Sequence, residues 1–183
     1  MAFSINEIRS QLTYGGARPN LFQVAITNPI NPTADLKVPF LCKAASLPET
    51  NIGLIEVPYF GRKIKIAGDR TFAEWTTTII NDEDFIIRNA LEEWINTIQS
   101  PESNLRELAT ASPLLYKSQA TVTQFGKTGE VLRVYQFNGI YPQTVAAIDL
   151  SWETTDAIEE FTCTWQYDSF EVIAGTTGIP GPV

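Results

Sequence analysis

The most informative segment of this chain is GRKIKIAGDRTFAEW, which spans residues 61–75. It is rich in charged residues, is interrupted by glycine and ends in aromatic residues, and its side chains form no catalytic set. Lys63 and Lys65 alternate with Ile64 and Ile66, which is the period-two pattern of a strand with one charged and one apolar face. The segment therefore predicts a surface hairpin that leads into a buried strand.

The predicted hairpin turns at Gly61, between strands at 52–60 and 62–67, and the buried strand follows at 71–80. Two interpretations of the basic residues remain open: a solvated face, or an interface with another protein. We take the interface as a hypothesis, because the charges lie in a hairpin flanked by long apolar strands. The candidate interface residues are Arg62, Lys63, Lys65, Asp69 and Arg70.

Much of the remaining chain is also predicted to form strands, because runs of β-branched and aromatic residues alternate with turns rich in glycine and proline. These strands are predicted at 20–27, 38–45, 119–125, 130–137, 140–152 and 158–173. In the last strand Phe161, Cys163, Trp165 and Tyr167 occupy alternate positions. That spacing predicts that their side chains are buried.

Two helices are predicted. A short one has capping-box spacing from Ser4 to Glu7, and Gly15 and Gly16 follow it. The longer one follows residue 80, with Asn81 or Asp82 as its cap and Pro101 beyond its end. Its predicted apolar face consists of Ile87, Leu91, Trp94, Ile95 and Ile98.

These elements predict a mainly β fold: an antiparallel β-sandwich or small barrel with one packed amphipathic α-helix. The core between sheet and helix is predicted to contain Phe72, Trp75, Ile87, Leu91, Trp94, Phe161 and Trp165.

Composition narrows the class of protein. The chain has 183 residues, of which 44% are hydrophobic and 19% charged, as in a single soluble globular domain. Its net charge is −8, from 21 acidic and 13 basic residues. That balance argues against a dedicated nucleic-acid binder, but it allows a protein that lets DNA pass without binding it.

Neither a signal peptide nor a run of transmembrane length is evident, so we expect synthesis and assembly in a cytoplasm.

The chain contains no histidine, which removes the commonest general base and metal ligand. Cys42 and Cys163 lie far apart in strand-like runs. Two buried free thiols are favoured over a disulfide in a chain without secretory features. No metal, cofactor or catalytic residue is predicted.

Three apparent motifs have simpler explanations. Gly126-Lys127-Thr128 resembles the end of a phosphate-binding loop, but position 121 is threonine where that loop needs glycine. The segment is instead predicted to be a hairpin turn. The clustered carboxylates indicate no particular glycosidase pair and lack the spacing of a calcium loop. Four tryptophans could form a carbohydrate platform, but their strand and helix positions favour core packing.

Three segments together resemble the tail tube proteins of contractile-tailed, T-even-like phages. ARPNLFQV at 17–24 and CKAASLP at 42–48 precede the 61–75 segment in the order of that family, and Asn81-Asp82-Glu83 follows. The second half of the chain, from Pro101 on, matches by pattern more than by motif. Two segments, residues 28–39 and the glycine- and proline-rich tail after Ala174, are longer than the family minimum. Two interpretations of both remain open: a decoration of this lineage, or a contact with a neighbouring ring.

The resemblance implies a virion structural protein without enzymatic activity. Six copies are expected to form a ring whose inner sheets join into one barrel, and rings are expected to stack into a tube. Its implied partners are further copies of itself, a sheath protein, a baseplate tube initiator and a tail terminator. DNA is expected to pass through the lumen without specific binding, and no membrane is involved.

Residues 1–174 are predicted to form one domain with an N-terminal arm at 1–16, followed by a flexible C-terminal arm at 175–183. Six copies at −8 give a ring charge of 6 × −8 = −48, so a net negative lumen is expected. Two other functions remain open: a baseplate initiator, tailocin or type VI secretion tube protein, and a monomeric β-sandwich that binds carbohydrate.

Overall fold

The computed structural model describes residues 5–103, 105–106 and 111–180, and strands dominate this part of the chain. In chain order the elements are α1 Ile5–Gln11, β1 Phe22–Ile26, α2 Val38–Leu41, β2 Cys42–Ala45, β3 Asn51–Tyr59, β4 Arg62–Thr71, β5 Trp75–Ile80, α3 Ile86–Ile98, α4 Pro113–Tyr116, β6 Ser118–Phe125, β7 Val131–Val145, β8 Glu160–Gln166 and β9 Ser169–Ala174. Short 3-10 turns occupy Thr13–Gly15 and Pro32–Ala34.

One antiparallel sheet contains seven of the strands, in the order β1-β6-β7-β8-β5-β2, with β9 paired to β7 as well. β3 and β4 pair only with each other and form a separate hairpin. The predicted mainly β, antiparallel architecture with a packed amphipathic helix is therefore confirmed.

β7 connects the two halves of the large sheet. Its first half pairs with β6 and β9, and its second half pairs with β8. Between the halves, Gly139 has a φ of 69°, and a Cβ at this position would lie 2.1 Å from the Asp168 carboxylate. Only glycine satisfies both the left-handed backbone and the close approach.

The core lies between the sheet and α3. Trp94 on α3 contacts Trp165 on β8 edge to face, with ring centroids 5.9 Å apart, and Trp75 stacks on Phe137 at 4.4 Å. The alternation predicted for residues 161–167 is confirmed, because all four of its apolar side chains are buried. Of the seven predicted core residues, six are buried and Phe72 is partly buried against the core.

The start of α3 differs from the prediction. Neither Asn81 nor Asp82 caps the helix, which begins after Phe85. Asn81 instead continues the ladder of β5, donating its backbone N–H to the Glu159 carbonyl at 2.8 Å. The carboxylate of Asp84 accepts the N–H of Ile86 at 3.1 Å and takes over part of the capping role.

Several predicted strands have other boundaries. Residues 38–41 form helix α2, because Pro39 lies in a first turn where its missing N–H breaks no bond. The strand predicted at 71–80 is interrupted at 72–74, between β4 and β5. The strand predicted at 158–173 divides into β8 and β9, since the Asp168 N–H bonds to the Asn138 carbonyl and the chain leaves β8 there.

The strands predicted at 130–137 and 140–152 form one strand, β7, which ends at Val145 and not at Trp152. Trp152 therefore lies outside the core, with its side chain fully exposed at 102%.

The N-terminal helix is confirmed over Ile5–Gln11, although its cap Ser4 lies outside the described residues. Ile5, Ile8 and Leu12 are exposed, so the predicted apolar face of this helix has no cover within the described chain.

Candidate functional site

The β3–β4 hairpin is exposed over nearly its whole length. On one face Ile55 pairs with Ile66 and Val57 pairs with Ile64. These four side chains remain 42% to 52% exposed. An isolated two-stranded hairpin is marginally stable in water, and exposed apolar patches are characteristic of interaction sites.

The opposite face of the hairpin carries charge, as the alternation of Lys63 and Lys65 with Ile64 and Ile66 predicted. Glu56 lies opposite Lys65 and accepts a hydrogen bond of 2.5 Å from the Nζ of Lys63. Both lysines are exposed, so this ion pair contributes little to stability.

Each predicted interface residue lies on β4 and is exposed. Arg62 is beside the turn on the apolar face, and Arg70 pairs with Ile52 beyond a bulge. The bulge brings two backbone segments close together, since a Cβ on Gly68 would lie 3.1 Å from the Gly53 carbonyl oxygen. Asp69 lies in this bulge, apart from the tip. The structure therefore brings Lys63 and Lys65 together on the charged face, places Arg62 on the opposite face beside the turn, and places Asp69 and Arg70 near the base of the hairpin.

The tip of the hairpin is a strained turn. Phe60 and Gly61 have φ values of 42° and 80°, so both central residues are left-handed, as in a type I′ turn. Phenylalanine is rare in that region, and its ring here is 92% exposed and contacts Tyr59 edge to face at 4.7 Å. An exposed aromatic pair at a strained tip is consistent with a contact site.

A second candidate surface was missed at the sequence level. β1, β6, β7 and β9 form a four-stranded antiparallel half-sheet, and within the described chain no strand pairs with the outer edge of β1 or of β9. The sequence pattern predicts β8 and β9 as one strand. The signals that separate them are Gly139 and Asp168, whose close approach marks the point where the chain changes partner on β7.

The surface beside α3 is rich in ion pairs. The Nζ of Lys37 donates to the carboxylates of Asp82 and Asp84. The hydrogen bond from Lys37 lowers the pKa of Asp84, and the reverse interaction raises the pKa of Lys37. Lys117 similarly pairs with Asp168 at 2.7 Å. Ion pairs within the subunit therefore account for some of the clustered carboxylates.

Residues 28–39 pack onto α3. Buried Asn28 donates from its side-chain Nδ2 to the Ala90 carbonyl at 3.1 Å, and its Oδ1 accepts the N–H of Ile30 at 2.9 Å. Ala34 and Val38 are also buried. The segment is thus part of the subunit's own core packing.

Among the described residues, no group of three or more acidic or cysteine side chains is arranged to hold a metal ion. No helix in the same part of the chain is long and apolar enough to cross a membrane.

Two apparent motifs of the sequence have structural roles. The glycine-rich segment at 126–129 forms the β6–β7 turn, in which the Gly126 N–H donates to the Glu130 carbonyl at 2.8 Å. Three of the four tryptophans are buried, so they form no carbohydrate platform.

Both cysteines are buried free thiols, as predicted. Burial raises the pKa of Cys42 to about 12 and also raises the pKa of Cys163. Neither thiol is suited to act as a nucleophile, because the thiolate is the reactive form.

Comparisons with known proteins identify the family to which this chain is similar. A model of the family described as phage tail tube protein matches residues 16–173. The tail tube protein gp19 of Enterobacteria phage T4 is 35% identical over 156 residues, which cover 85% of this chain and 91% of that protein. The tail tube protein of Serratia phage KSP90 is 28% identical over 171 residues, with 90% and 94% coverage.

Solved structures show the same fold at lower identity. The tube terminating cap of the anti-feeding prophage has a TM-score of 0.64 and 19% identity, covering 87% of this chain and 92% of that one. A chain of the PVC sheath–tube complex, from an extracellular contractile injection system in the extended state, has a TM-score of 0.58 and 17% identity. That match covers 94% of this chain and 99% of the other.

Proposed function

Because this chain belongs to the phage tail tube protein family and is a subunit of a phage tail tube, we propose that it builds the tube by closing its four-stranded half-sheet edge to edge with neighbouring copies. The observation that carries the proposal is that no strand of the described residues pairs with the outer edges of β1 and β9. Exposed edges are a liability in a monomer, and a closed ring removes them.

The strand directions allow this closure. β6 runs antiparallel to β7, and β1 runs antiparallel to β6, so β1 and β7 run in the same direction. β9 runs antiparallel to β7. The β1 of one copy would therefore meet the β9 of the next in an antiparallel pair, and the alternation would continue around the ring.

A ring of six copies, the number that the family resemblance implies, would join six times four strands into a barrel of 24. At about 4.8 Å per strand, that barrel has a circumference of about 115 Å and a backbone diameter of about 37 Å, larger if the strands tilt. Such a barrel is wide enough to enclose an aqueous channel, as large barrels do. We propose that this channel conducts the viral genome.

The β3–β4 hairpin supports stacking of such rings. Within the described part of the subunit, the side chains of its apolar face remain about half exposed. Its basic residues lie at the surface of a chain with a net charge of −8, so they would reduce repulsion where two acidic subunits meet. We assign Arg62, Lys63, Lys65, Asp69 and Arg70 to this contact between copies.

The remaining partners follow from the tube's place in a tail. We propose contacts with a sheath protein on the outer surface, with a baseplate initiator at one end of the tube and with a terminator at the other. The subunit is a virion component, and we propose that it assembles in the host cytoplasm. None of these roles requires catalysis.

Ring closure is tested by one backbone hydrogen-bond donor on β1. The Phe125 N–H bonds to the Leu21 carbonyl and the Thr27 N–H bonds to the Gln119 carbonyl. Because hydrogen-bonded pairs recur at every second residue, the N–H of Val24 points away from β6, toward the free edge. Val24→Pro removes that donor and keeps an apolar side chain at this buried position.

Val24→Pro should leave a folded subunit that forms no rings, since edge strands tolerate an outward-facing proline. Val24→Ala is the matched control, because it keeps the donor and loses only methyl groups. Circular dichroism would report folding, and negative-stain microscopy with sedimentation would report rings. Normal rings from Val24→Pro would refute closure through β1.

A further inference from the structure

Asn138 and Gly139 form a dipeptide that is unusual inside a strand. Asn-Gly is strongly preferred in two-residue hairpin turns. Here it lies within β7, between the half of that strand that pairs with β6 and β9 and the half that pairs with β8. Asn138 is also the only asparagine in the sequence that is followed by glycine. The dipeptide therefore has a chemical property that no other asparagine of the chain shares to the same degree.

An Asn-Gly dipeptide can modify itself with water as the only co-reactant. The glycine nitrogen attacks Cγ of the asparagine, so that a C–N bond forms and the Cγ–Nδ2 bond breaks. Nδ2 leaves as ammonia and takes the amide proton of the glycine with it. Water then opens the resulting succinimide at either carbonyl, which gives aspartate or isoaspartate. Glycine favours this reaction because it has no side chain beside the attacking nitrogen, and asparagine is among the thermally labile residues.

The native sheet holds the Asn138 carboxamide away from that nitrogen. Its Oδ1 accepts a hydrogen bond of 3.1 Å from Nε2 of Gln136, and its Nδ2 donates to Oε1 of Glu171 at 3.2 Å. Glu171 on β9 pairs with Gln136 on β7, so both partners lie on the N-terminal side of Asn138. Gly139 follows on the C-terminal side. Attack on Cγ therefore requires the side chain to leave both partners and turn along the strand.

The fold requires the glycine that makes this site reactive. Gly139 has a φ of 69°, and a Cβ at this position would collide with the carboxylate of Asp168. That carboxylate is fixed by Lys117, whose Nζ donates to its two oxygens at 2.7 and 2.8 Å. A larger residue would slow the reaction, but it cannot be accommodated beside Asp168.

We propose that Asn138-Gly139 is a deamidation site that the pairing of β7 with β9 keeps closed in the native subunit. The site opens when the chain is unfolded or when β9 separates from β7. Aspartate at position 138 would place a carboxylate where Nδ2 now donates to Glu171, and like charges in cross-strand contact are destabilising. Isoaspartate would add one atom to the backbone of β7 beside Gly139. A chain that is modified before its strands pair would therefore refold poorly.

Trypsin isolates this site in a single peptide. No lysine or arginine follows Arg133, so digestion releases residues 134–183 together, and Asn138 is the only asparagine among them. The full-length chain would be incubated at mildly alkaline pH, in native buffer and in guanidinium chloride. Mass spectrometry of the peptide would then give the rate of deamidation, and enzymatic methylation of the α-carboxylate would detect isoaspartate.

The unfolded wild-type chain should deamidate at least about tenfold faster than the native subunit, since each 1.4 kcal/mol of opening free energy lowers the open population about tenfold. Gly139→Ala, compared only in denaturant, should react more slowly because its Cβ hinders the attacking nitrogen. Equal rates in native and unfolded protein would overturn closure by the sheet. An equal rate in unfolded Gly139→Ala would overturn the succinimide route.

Two variants of Glu171 test what holds the carboxamide. Glu171→Ala removes the acceptor of Nδ2, so its native rate should rise several-fold above that of wild type. Glu171→Gln keeps an oxygen at this place and should react at the wild-type rate. Glu171 is exposed, so both variants should fold. Equal native rates in the two variants would overturn the role of Glu171. So would a rise in Glu171→Ala no larger than its measured loss of stability accounts for.

The aspartate product can be made directly as Asn138→Asp. This variant should unfold at a lower denaturant concentration than wild type, and adding Glu171→Gln should restore most of the loss because it removes the like charge. Asn51→Asp makes the same chemical change at an exposed position of β3 and should have little effect. Wild-type stability of Asn138→Asp, or no rescue by Glu171→Gln, would overturn the proposed clash with Glu171.

Discussion

The indole Nε1 of Trp165 donates a hydrogen bond of 2.9 Å to the hydroxyl of Thr77, and both side chains are fully buried. The two residues lie on neighbouring strands β8 and β5, beneath α3. This bond satisfies the one polar atom of a tryptophan side chain at the centre of the core.

Thr77→Val should destabilise the subunit by about 1–3 kcal/mol, because it leaves the buried indole N–H without an acceptor. Thr77→Ser keeps the hydroxyl and loses one methyl group, so it should cost less. Urea unfolding of both variants would measure the difference. A free energy of unfolding in Thr77→Val equal to that of wild type would show that the hydrogen bond contributes nothing.

Trp94 and Trp152 provide a matched pair of tryptophan truncations. Trp94 is fully buried and donates its Nε1–H to the Tyr116 carbonyl at 2.8 Å, whereas Trp152 is fully exposed. Trp94→Ala should therefore cost about 3–5 kcal/mol. Trp152→Ala should change the free energy of unfolding by less than about 0.5 kcal/mol. Similar losses in the two variants would contradict these positions.

The buried thiols should be inert in the native subunit. A rise in the Cys42 pKa from 9.0 to about 12 lowers its thiolate fraction about a thousandfold at pH 8, before any effect of access. The pKa of Cys163 is also raised. A chromogenic disulfide reagent should titrate two thiols in denaturant and almost none in native protein. Rapid reaction of the native protein would place a cysteine at the surface.

The sequence predicted the hairpin and the burial pattern of β8 because both depend on local alternation. Lys63 to Ile66 show a period of two whether the hairpin is free or covered, and so do Phe161 to Tyr167. The helical spacing from Ile87 to Ile98 identified α3 for the same reason. Its start was wrong because Asn81 is held in the sheet by Glu159, a partner 78 residues away.

The free edges of β1 and β9 could not be predicted from local pattern. An edge is defined by the absence of a neighbour, which depends on the order of all strands in the sheet. β8 and β9 appeared as one strand because only Tyr167 and Asp168 separate them. Trp152 was misplaced because aromatic residues favour strands, while its position after Val145 depends on where β7 loses its partner.

Charge reversal in the hairpin should impair tube assembly. Lys63→Glu with Lys65→Glu places two carboxylates beside Glu56 on a subunit that is already acidic, so approach of another copy becomes unfavourable. Both lysines are exposed, so the subunit should remain folded. Lys63→Gln with Lys65→Gln is the control and should give a smaller defect. Tubes of normal length from the reversed variant would remove these lysines from the interface.

The apolar face of the hairpin should be buried when tubes form. Ile55 and Ile66 lie opposite each other and are each about half exposed, so assembly can still cover about half of each side chain. Full burial of such a side chain contributes about 1.5–3 kcal/mol, so covering half of each of the two should contribute roughly 1.5–3 kcal/mol to assembly. Ile55→Thr with Ile66→Thr keeps β-branched residues in the strands and should leave the free energy of unfolding of the subunit nearly unchanged. The critical concentration for assembly, measured by sedimentation, should rise about 10- to 150-fold, since 1.4 kcal/mol corresponds to a factor of about ten. Leu36→Thr with Leu114→Thr alters two exposed leucines outside the hairpin and should leave the critical concentration near that of wild type. An unchanged critical concentration in the hairpin variant, or an equal rise in the leucine variant, would show that this face is not a specific contact.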